Sequence, residues 1–310
     1  MSEVVGRLAP SPTGVLHLGN ARSFLLAWLS VRSQDGRLLM RIEDLDGPRI
    51  RAGAELECLA DLEWLGLDWD GPIVRQSERQ ESYAEALRKL LQRGLAYACT
   101  CSRKEVELAA SAPHSGEEGP IYPGTCRDKN LSAETENAAF RFLVTDGNMS
   151  FQDGFRGTCK MHVQQELGDF VIFKRDGQAA YQLAVVVDDV AMGVTEVLRG
   201  DDLLSSAARQ IQLGAALGYS MPTFTHLPLV VGEDGRRLAK RHGDTSLRAF
   251  RAQGVASAAI LGWLAWSCGL QMDATPCQAE DLIPHFQLKK LPQQQVVWRG
   301  DLKAPMLWRG

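Results

Sequence analysis

The chain has 310 residues, of which 45% are hydrophobic and 23% are charged, and its formal net charge is −4. This apolar content is enough for a large core, so one large or two modest domains are expected. The negative charge argues against a general nucleic-acid coat. No apolar run reaches the ~18 residues of a membrane span. The start, MSEVVGRLAP, lacks the pattern of a secretory signal, so the cytoplasm is the predicted compartment.

Strand and helix patterns alternate through the first hundred residues. The predicted elements are, in chain order, a strand over 4–14, a helix over 20–34, a strand over 36–46 and helices over 52–70 and 79–94. Gly66 and Gly94 are the expected stop signals of the last two helices. This alternation is typical of an α/β layer with parallel strands, which is the predicted fold class.

The pattern changes after residue 97. Residues 98–130 are polar and contain clustered cysteines, which indicates an insertion. Residues 139–157 alternate and carry Asp-Gly turns, so antiparallel strands are predicted there. The remaining predictions are strands over 169–200, a helix over 201–218, a strand, turn and basic loop over 225–244, and helices from Leu247 before a short polar end.

The stretch APSPTGVLHLGN combines an extended turn with the start of an apolar helix. A phosphate near Asn20 would meet the free N–H groups and the positive end of that helix. Gly19 would leave room for a flat ring or a ribose, and His17 could donate to phosphate oxygens. The alternative is an ordinary turn with a solvent-facing histidine.

A basic segment far along the chain completes this motif. Residues 237–241, RLAKR, follow a predicted strand, and HLGN precedes them by more than two hundred residues. The pair resembles the HIGH and KMSKS motifs of class I aminoacyl-tRNA synthetases. The flanking stretches RLAPSPTGVLHLGNAR, LLMRIEDLD, YQLAVVVDD, VLRGDDLL and RLAKRHGD resemble the glutamyl-tRNA synthetase family, in order, from Arg7 to Asp244. Arg237 and Ala239 depart from the Lys and Ser of KMSKS, whereas Lys240 is retained.

The resemblance implies a Rossmann-type nucleotide-binding core with an inserted zinc-bearing region. It divides the chain into a first core half over 1–97, an insertion over 98–160, a second core half over 161–246 and a helical subdomain over 247–310. Only about seventy residues follow Gly243, fewer than an anticodon-binding region would add to that subdomain. Val185 also lies where full-length members tend to have Asn.

In its short C-terminal part and in Val185, the chain resembles the truncated branch of the family, which acts on queuosine. That resemblance implies a monomer that activates L-glutamate with ATP and Mg²⁺, without tRNA. The glutamate would then be esterified to the cyclopentenediol of queuosine in the tRNA(Asp) anticodon, with no membrane partner. Two alternatives stay open at this point: a short enzyme that charges a tRNA 3′ end, and a catalytically silent sensor of glutamate or nucleotide.

The resemblance also assigns site residues. Arg7 and Arg199 suit the side-chain carboxylate because a guanidinium matches its geometry, and Glu43 suits the ammonium. The full glutamate pocket is Arg7, Leu8, Ala9, Pro10, Ser11, Glu43, Tyr181 and Arg199. Catalysis is assigned to His17, Gly19, Asn20 and Lys240, and ATP binding to His17, Gly19, Arg237, Lys240 and Arg241. The alternatives are a structural ion pair for Arg7 and Glu43, and core packing for Tyr181.

Three of the seven cysteines lie close together in the predicted insertion, namely Cys99, Cys101 and Cys126. Thiolates suit zinc, which usually takes four ligands. Chemistry alone proposes His114 as the fourth, whereas the family pattern places a tyrosine there, which corresponds to Tyr122. One structural zinc on Cys99, Cys101, Tyr122 and Cys126 is therefore expected, with three free thiols as the alternative.

Overall fold

The computed structural model describes residues 3–109, 121–238, 244–302 and 307–309. The strands are β1 (Val5–Leu8), β2 (Arg37–Ile42), β3 (Val74–Arg75), β4 (Ala96–Cys99), β5 (Ala139–Phe142), β6 (Asn148–Asp153), β7 (Gly157–His162), β8 (Val171–Phe173), β9 (Glu196–Gly200), β10 (Thr223–Leu227), β11 (Val230–Val231), β12 (Gln295–Val297) and β13 (Leu307–Arg309). The helices are α1 (Leu18–Arg32), α2 (Ala54–Trp64), α3 (Gln80–Gln92), α4 (Arg103–Ala109), α5 (Val163–Glu166), α6 (Tyr181–Ala191), α7 (Leu204–Leu217), α8 (Leu247–Ala252) and α9 (Ser257–Ser267).

The centre of the fold is a layer of parallel strands, as the alternating pattern predicted. Strands β1, β2 and β3 pair in parallel, and β10 pairs in parallel with both β9 and β6. The two groups meet where the Thr195 N–H, directly before β9, donates to the Val5 carbonyl at 2.8 Å. Their carboxyl ends therefore open on one edge, where α/β proteins bind ligands.

Helix α1 packs its apolar side chains against this layer. Leu25, Leu26 and Leu29 are fully buried and belong to one core cluster with β1, β2 and the C-terminal helix α9. A second cluster is built from α3, α6 and the strands β5 and β8. The predicted stops of α2 and α3 are confirmed, because Gly66 and Gly94 have φ of +73° and +66° directly beyond the two helices.

The antiparallel pairing predicted over 139–157 is also confirmed. Strands β6 and β7 form a hairpin, and β5 pairs antiparallel with both β4 and β8. The hairpin joins the parallel layer through β6, where Asp153 pairs with Phe224 of β10. The β6–β7 hairpin thus extends the parallel layer at one edge, whereas β5 and β8 form a separate sheet with β4.

The prediction of strands throughout 169–200 is wrong in its middle part. Residues Tyr181–Ala191 form α6, and only β8 and β9 on either side are strands. This part of the chain contains three consecutive valines, and β-branched residues favour strands. In the structure all three are buried within a helix, and Asp188 and Asp189 are fully buried beside them.

The predicted helical end of the chain holds two strands as well. Beyond α9, β12 pairs in parallel with β11 and antiparallel with β13. Trp298, just after β12, packs edge-on against Trp263 and Phe250, with ring centroids 5.3 and 6.3 Å away. These strands depend on pairing with β11, more than sixty residues earlier, which a local pattern does not reveal. Among the described residues, no helix combines the length and apolar character needed to cross a membrane.

Candidate active site

A cavity opens at the carboxyl ends of β1 and β9, beside the start of α1. Nine of the site residues predicted from the sequence line it. They are Arg7, Ala9, His17, Gly19, Asn20, Glu43, Tyr181, Arg199 and Arg237. Pro10 and Ser11 line an adjoining cavity that shares Ala9, His17 and Asn20 with the first. Leu8 lines neither, because its side chain is fully buried in the core.

His17 caps helix α1 with its own side chain. Its Nδ1 accepts from the backbone N–H groups of Gly19 and Asn20, at 3.1 and 3.4 Å. The Leu18 N–H donates to the Thr245 carbonyl at 3.0 Å. The expectation of free N–H groups near Asn20 is therefore wrong, since these helix amides already have partners within the protein.

Gly19 is needed for this cap. A Cβ at position 19 would lie 2.9 Å from Cε1 of the His17 ring, closer than such atoms approach. The first contact of a side chain here would thus be the imidazole, and not the ligand ring or ribose that the sequence suggested. Glycine allows the histidine to fold back over the helix start.

Burial determines the charge of the His17 ring, and the cap determines which ring nitrogen carries the proton. Burial lowers its pKa to about 4, with a further contribution from the charge of Arg237. The ring is therefore neutral at physiological pH. Because Nδ1 accepts from the helix, the proton of the neutral ring is on Nε2, which becomes the single N–H donor of this side chain.

Arg7 lies at the floor of the cavity and is 7% exposed. Its Nε forms an ion pair with Asp189 Oδ1 at 3.6 Å, and this buried nitrogen has no hydrogen bond among the described residues. Glu43 pairs with Arg41 at 3.0 Å, and Arg41 also donates to Asp189 at 2.6 Å. Arg7 and Glu43 thus each take part in an ion pair, but with Asp189 and Arg41 and not with each other. Burial lowers the pKa of Arg7 and raises that of Glu43, which marks both as incompletely compensated charges.

Arg199 also lines the cavity and is 6% exposed. Its Nε donates to His226 Nε2 at 3.0 Å, and its Nη2 donates to the Leu203 carbonyl at 3.2 Å. Its Nη1 is buried and has no hydrogen-bond partner among the described residues. Two buried arginines that line one cavity, one of them with an unpartnered Nη1, make a site that favours a carboxylate.

The basic segment reaches the cavity at its first residue. Arg237 pairs with Asp202 at 3.0 Å, and both line the cavity with Leu238. On the other flank of the segment, Ser246 forms a β-bridge with His17. Lys240 and Arg241 lie outside the described residues, as does His114.

The three clustered cysteines do come together in the structure. Their sulfur atoms lie within 4.8 Å of one another, and those of Cys101 and Cys126 are 3.5 Å apart. The Tyr122 hydroxyl lies 3.4 and 3.6 Å from the sulfur atoms of Cys99 and Cys101. This cluster can hold a metal ion. The other four cysteines, Cys58, Cys159, Cys268 and Cys277, are free thiols.

Residues 3–299 match the family described as tRNA synthetases class I (E and Q), catalytic domain. A protein of Rhodopirellula baltica named glutamyl-Q tRNA(Asp) synthetase is 48% identical over 97% of this chain and 94% of its own length. A protein of Symbiobacterium thermophilum with the same name is 47% identical over 94% of both chains.

The chain belongs to the glutamyl-Q tRNA(Asp) synthetase family. It is therefore an enzyme of the ligase class, with an α/β class I synthetase fold. The crystal structure of a glutamate tRNA ligase from Elizabethkingia meningosepticum, solved in complex with its amino acid, matches it with a TM-score of 0.82 at 26% identity. That match covers 97% of this chain and 68% of the ligase.

Several residues around the site were missed by the sequence analysis. They are Arg41 and Asp189 beneath Arg7, Asp153 and His226 behind Arg199, and Arg141 beside the cysteines. One signal was present, because two consecutive acids in an apolar stretch, Asp188 and Asp189, indicate buried carboxylates that need partners. Nothing local points to the other residues.

Proposed function

We propose that this enzyme activates L-glutamate with ATP and transfers it to queuosine in the anticodon of tRNA(Asp). The observation that carries the activation step is the pair of buried arginines, Arg7 and Arg199, which line one cavity together with His17 and Arg237. The acceptor comes from the relatives, which are named glutamyl-Q tRNA(Asp) synthetase over nearly their whole length.

Arg7 and Arg199 bind the side-chain carboxylate of glutamate in this proposal, and Glu43 pairs with its ammonium group. A carboxylate that accepts from both guanidinium groups would give the buried Arg199 Nη1 the partner that it lacks among the described residues. Glu43 remains available for this role because Arg41 already holds it in place at 3.0 Å. The α-carboxylate is then the group left to react.

ATP occupies the part of the cavity beside His17, Gly19 and Arg237. The α-carboxylate attacks the α-phosphorus, a new O–P bond forms, and pyrophosphate leaves. The Nε2–H of His17 and the charge of Arg237 stabilise the developing negative charge, with Lys240 assigned the same task by the family motif. Mg²⁺ supplies further charge neutralisation when it is bound to the phosphates. In the second step, a hydroxyl of the queuosine ring attacks the glutamyl carbonyl and AMP leaves.

The activation step is tested by exchange of labelled pyrophosphate into ATP. We expect exchange with L-glutamate and no tRNA, and strong rejection of glutamine. A neutral amide leaves the two arginines without a charge partner, which disfavours glutamine by several orders of magnitude. Absence of exchange, or equal use of both amino acids, contradicts the proposed pocket. A protein that binds glutamate without exchange would be the silent sensor.

His17→Asn separates the two roles of the histidine. Asparagine is a good N-cap, so the melting temperature should change little. It lacks an N–H at the position of Nε2, so kcat for exchange should fall roughly ten- to hundredfold. The two measurements are thermal unfolding and exchange kinetics. A large loss of stability with unchanged kcat would show that the residue serves only the helix.

We further propose that the cysteine cluster binds one structural zinc ion with Tyr122 as the fourth ligand. Zn–S bonds of about 2.3 Å in a tetrahedron place sulfur atoms about 3.8 Å apart, and the Cys101–Cys126 separation is 3.5 Å. The Tyr122 oxygen has similar separations, 3.4 and 3.6 Å, from the sulfur atoms of Cys99 and Cys101. These distances fit a metal between the four atoms.

The pKa values within the cluster differ from one ligand to the next. Burial raises the pKa of Cys101 and of Tyr122, whereas at Cys126 hydrogen bonds led by the Thr100 backbone outweigh burial and bring the pKa to about 7. Arg141 donates to Cys99 Sγ at 3.3 Å, and its guanidinium carbon lies 3.6 Å from the centre of the Tyr122 ring. A buried cation at this place offsets the negative charge of a thiolate-rich site.

Elemental analysis of the purified protein should find one zinc per chain. Tyr122→Phe should reduce the zinc content or affinity, because it removes one of four ligands, and His114→Ala should not. The reverse pattern would assign the fourth position to His114. If the protein contains no bound zinc after incubation in a zinc-containing buffer, the proposed site is contradicted.

A further inference from the structure

Three buried side chains, those of Asp153, His226 and Arg199, are linked by hydrogen bonds across the sheet behind the cavity. Asp153 on β6 lies 2.6 Å from His226 on β10, measured from Oδ2 to Nδ1. On its other side, His226 Nε2 accepts from Nε of Arg199 on β9 at 3.0 Å. Asp153 and His226 have fully buried side chains. These hydrogen bonds connect a carboxylate in the core to the guanidinium group of Arg199, which lines the cavity.

The tautomer of His226 follows from its two neighbours. An arginine Nε always donates, so His226 Nε2 is the acceptor and Nδ1 carries the proton. That proton is donated to Asp153 Oδ2. Burial lowers the pKa of His226 by more than its hydrogen bond with Asp153 raises it, which agrees with a neutral ring. In the other tautomer, two N–H groups would face each other across 3.0 Å.

Asp153 is itself fixed by the backbone. Its Oδ1 accepts from the N–H groups of Phe155, Arg156 and His226 at 3.0, 2.8 and 3.2 Å. Only Oδ2 is therefore directed to the imidazole. The tight loop after β6 thus determines which oxygen meets His226, and through it which tautomer the ring adopts.

We infer that His226, oriented by Asp153, is a positioning residue that holds the Arg199 guanidinium ready for the substrate carboxylate. This inference rests on the proposed function. His226 and the Leu203 carbonyl accept from Nε and Nη2, and Nη1 is the nitrogen of Arg199 without a partner in the described part of the chain. The Phe224 ring centre lies 5.3 Å from the guanidinium carbon and limits its movement further. A guanidinium already held in place loses little freedom when the carboxylate binds.

Asp153→Asn gives a test that changes no side-chain volume. The asparagine oxygen can still accept from the three backbone N–H groups, so its NH₂ group must face His226 Nδ1. That favours the tautomer with a proton on Nε2, which opposes the Arg199 N–H. We expect the KM for L-glutamate in pyrophosphate exchange to rise roughly ten- to hundredfold, with the KM for ATP within about threefold of the unchanged enzyme.

A matched pair at position 226 provides a second, independent test. Glutamine places its amide near the position of Nε2 and can accept from Arg199, whereas asparagine reaches only the position of Nδ1. We expect His226→Gln to keep the KM for glutamate within about threefold and His226→Asn to raise it at least tenfold. Thermal unfolding monitors the stability of all three variants.

The outcomes separate the inference from the proposed function. If the enzyme without substitutions shows no glutamate-dependent exchange, both the proposed function and the inference are wrong. Normal exchange together with an unaltered glutamate KM in Asp153→Asn overturns only the inference. Equal loss in His226→Gln and His226→Asn, spread over kcat and both KM values, would show that the histidine merely fills the core.

Discussion

Replacing Arg199 with alanine is expected to lower kcat/KM for L-glutamate roughly 10²- to 10³-fold in pyrophosphate exchange. The guanidinium is buried, and its Nη1 has no hydrogen-bond partner among the described residues, so it is free for the proposed carboxylate. Loss of one member of such a buried charge pair costs about 2–5 kcal/mol. The effect should fall mainly on the KM for glutamate, because the carboxylate contact exists before and during the reaction. The KM for ATP should change little.

A suitable control is Arg88→Ala. Arg88 lies on α3 and pairs with Glu81 on the surface, where both side chains are more than half exposed. An exposed pair of this kind contributes at most about 1 kcal/mol, so exchange should be unaffected. If Arg199→Ala keeps its glutamate KM, or if both variants lose activity alike, Arg199 does not bind the substrate.

The start of α1 shows how far local sequence could be followed. The extended turn and apolar spacing correctly predict a helix that begins beside His17. They do not reveal that the imidazole folds back onto the helix amides, because a side-chain rotamer depends on surrounding contacts. One of these is the Thr245 carbonyl, which receives the Leu18 N–H from more than two hundred residues away.

The residues behind the arginines were beyond prediction for a similar reason. Arg41 and Asp189 are 148 positions apart, and Asp153 and His226 are 73 positions apart. Both separations are too long for two residues that meet within one helix or one hairpin. Family resemblance placed Arg7 and Arg199 in one pocket, and only the folded sheet brings their supporting partners beside them.

The acceptor of glutamate should be queuosine and not the tRNA 3′ end. The hydroxyl that attacks the glutamyl adenylate belongs to the cyclopentenediol ring, which guanine lacks, so the effect of the modification should be all-or-none. Bases in single-stranded loops can be splayed into a pocket, which makes an anticodon base accessible to an active site. We expect the basic segment with Arg236, Arg237, Lys240 and Arg241 to contact tRNA phosphates, so transfer should weaken as the salt concentration rises.

The most direct test of the account follows labelled glutamate onto two altered forms of tRNA(Asp). One carries queuosine but lacks its 3′-terminal adenosine, and the other has an intact 3′ end with unmodified guanine at the wobble position. The account predicts that the first is labelled and that the second is not. Labelling of the second and not the first would show an enzyme that charges the 3′ end, and would contradict transfer to queuosine.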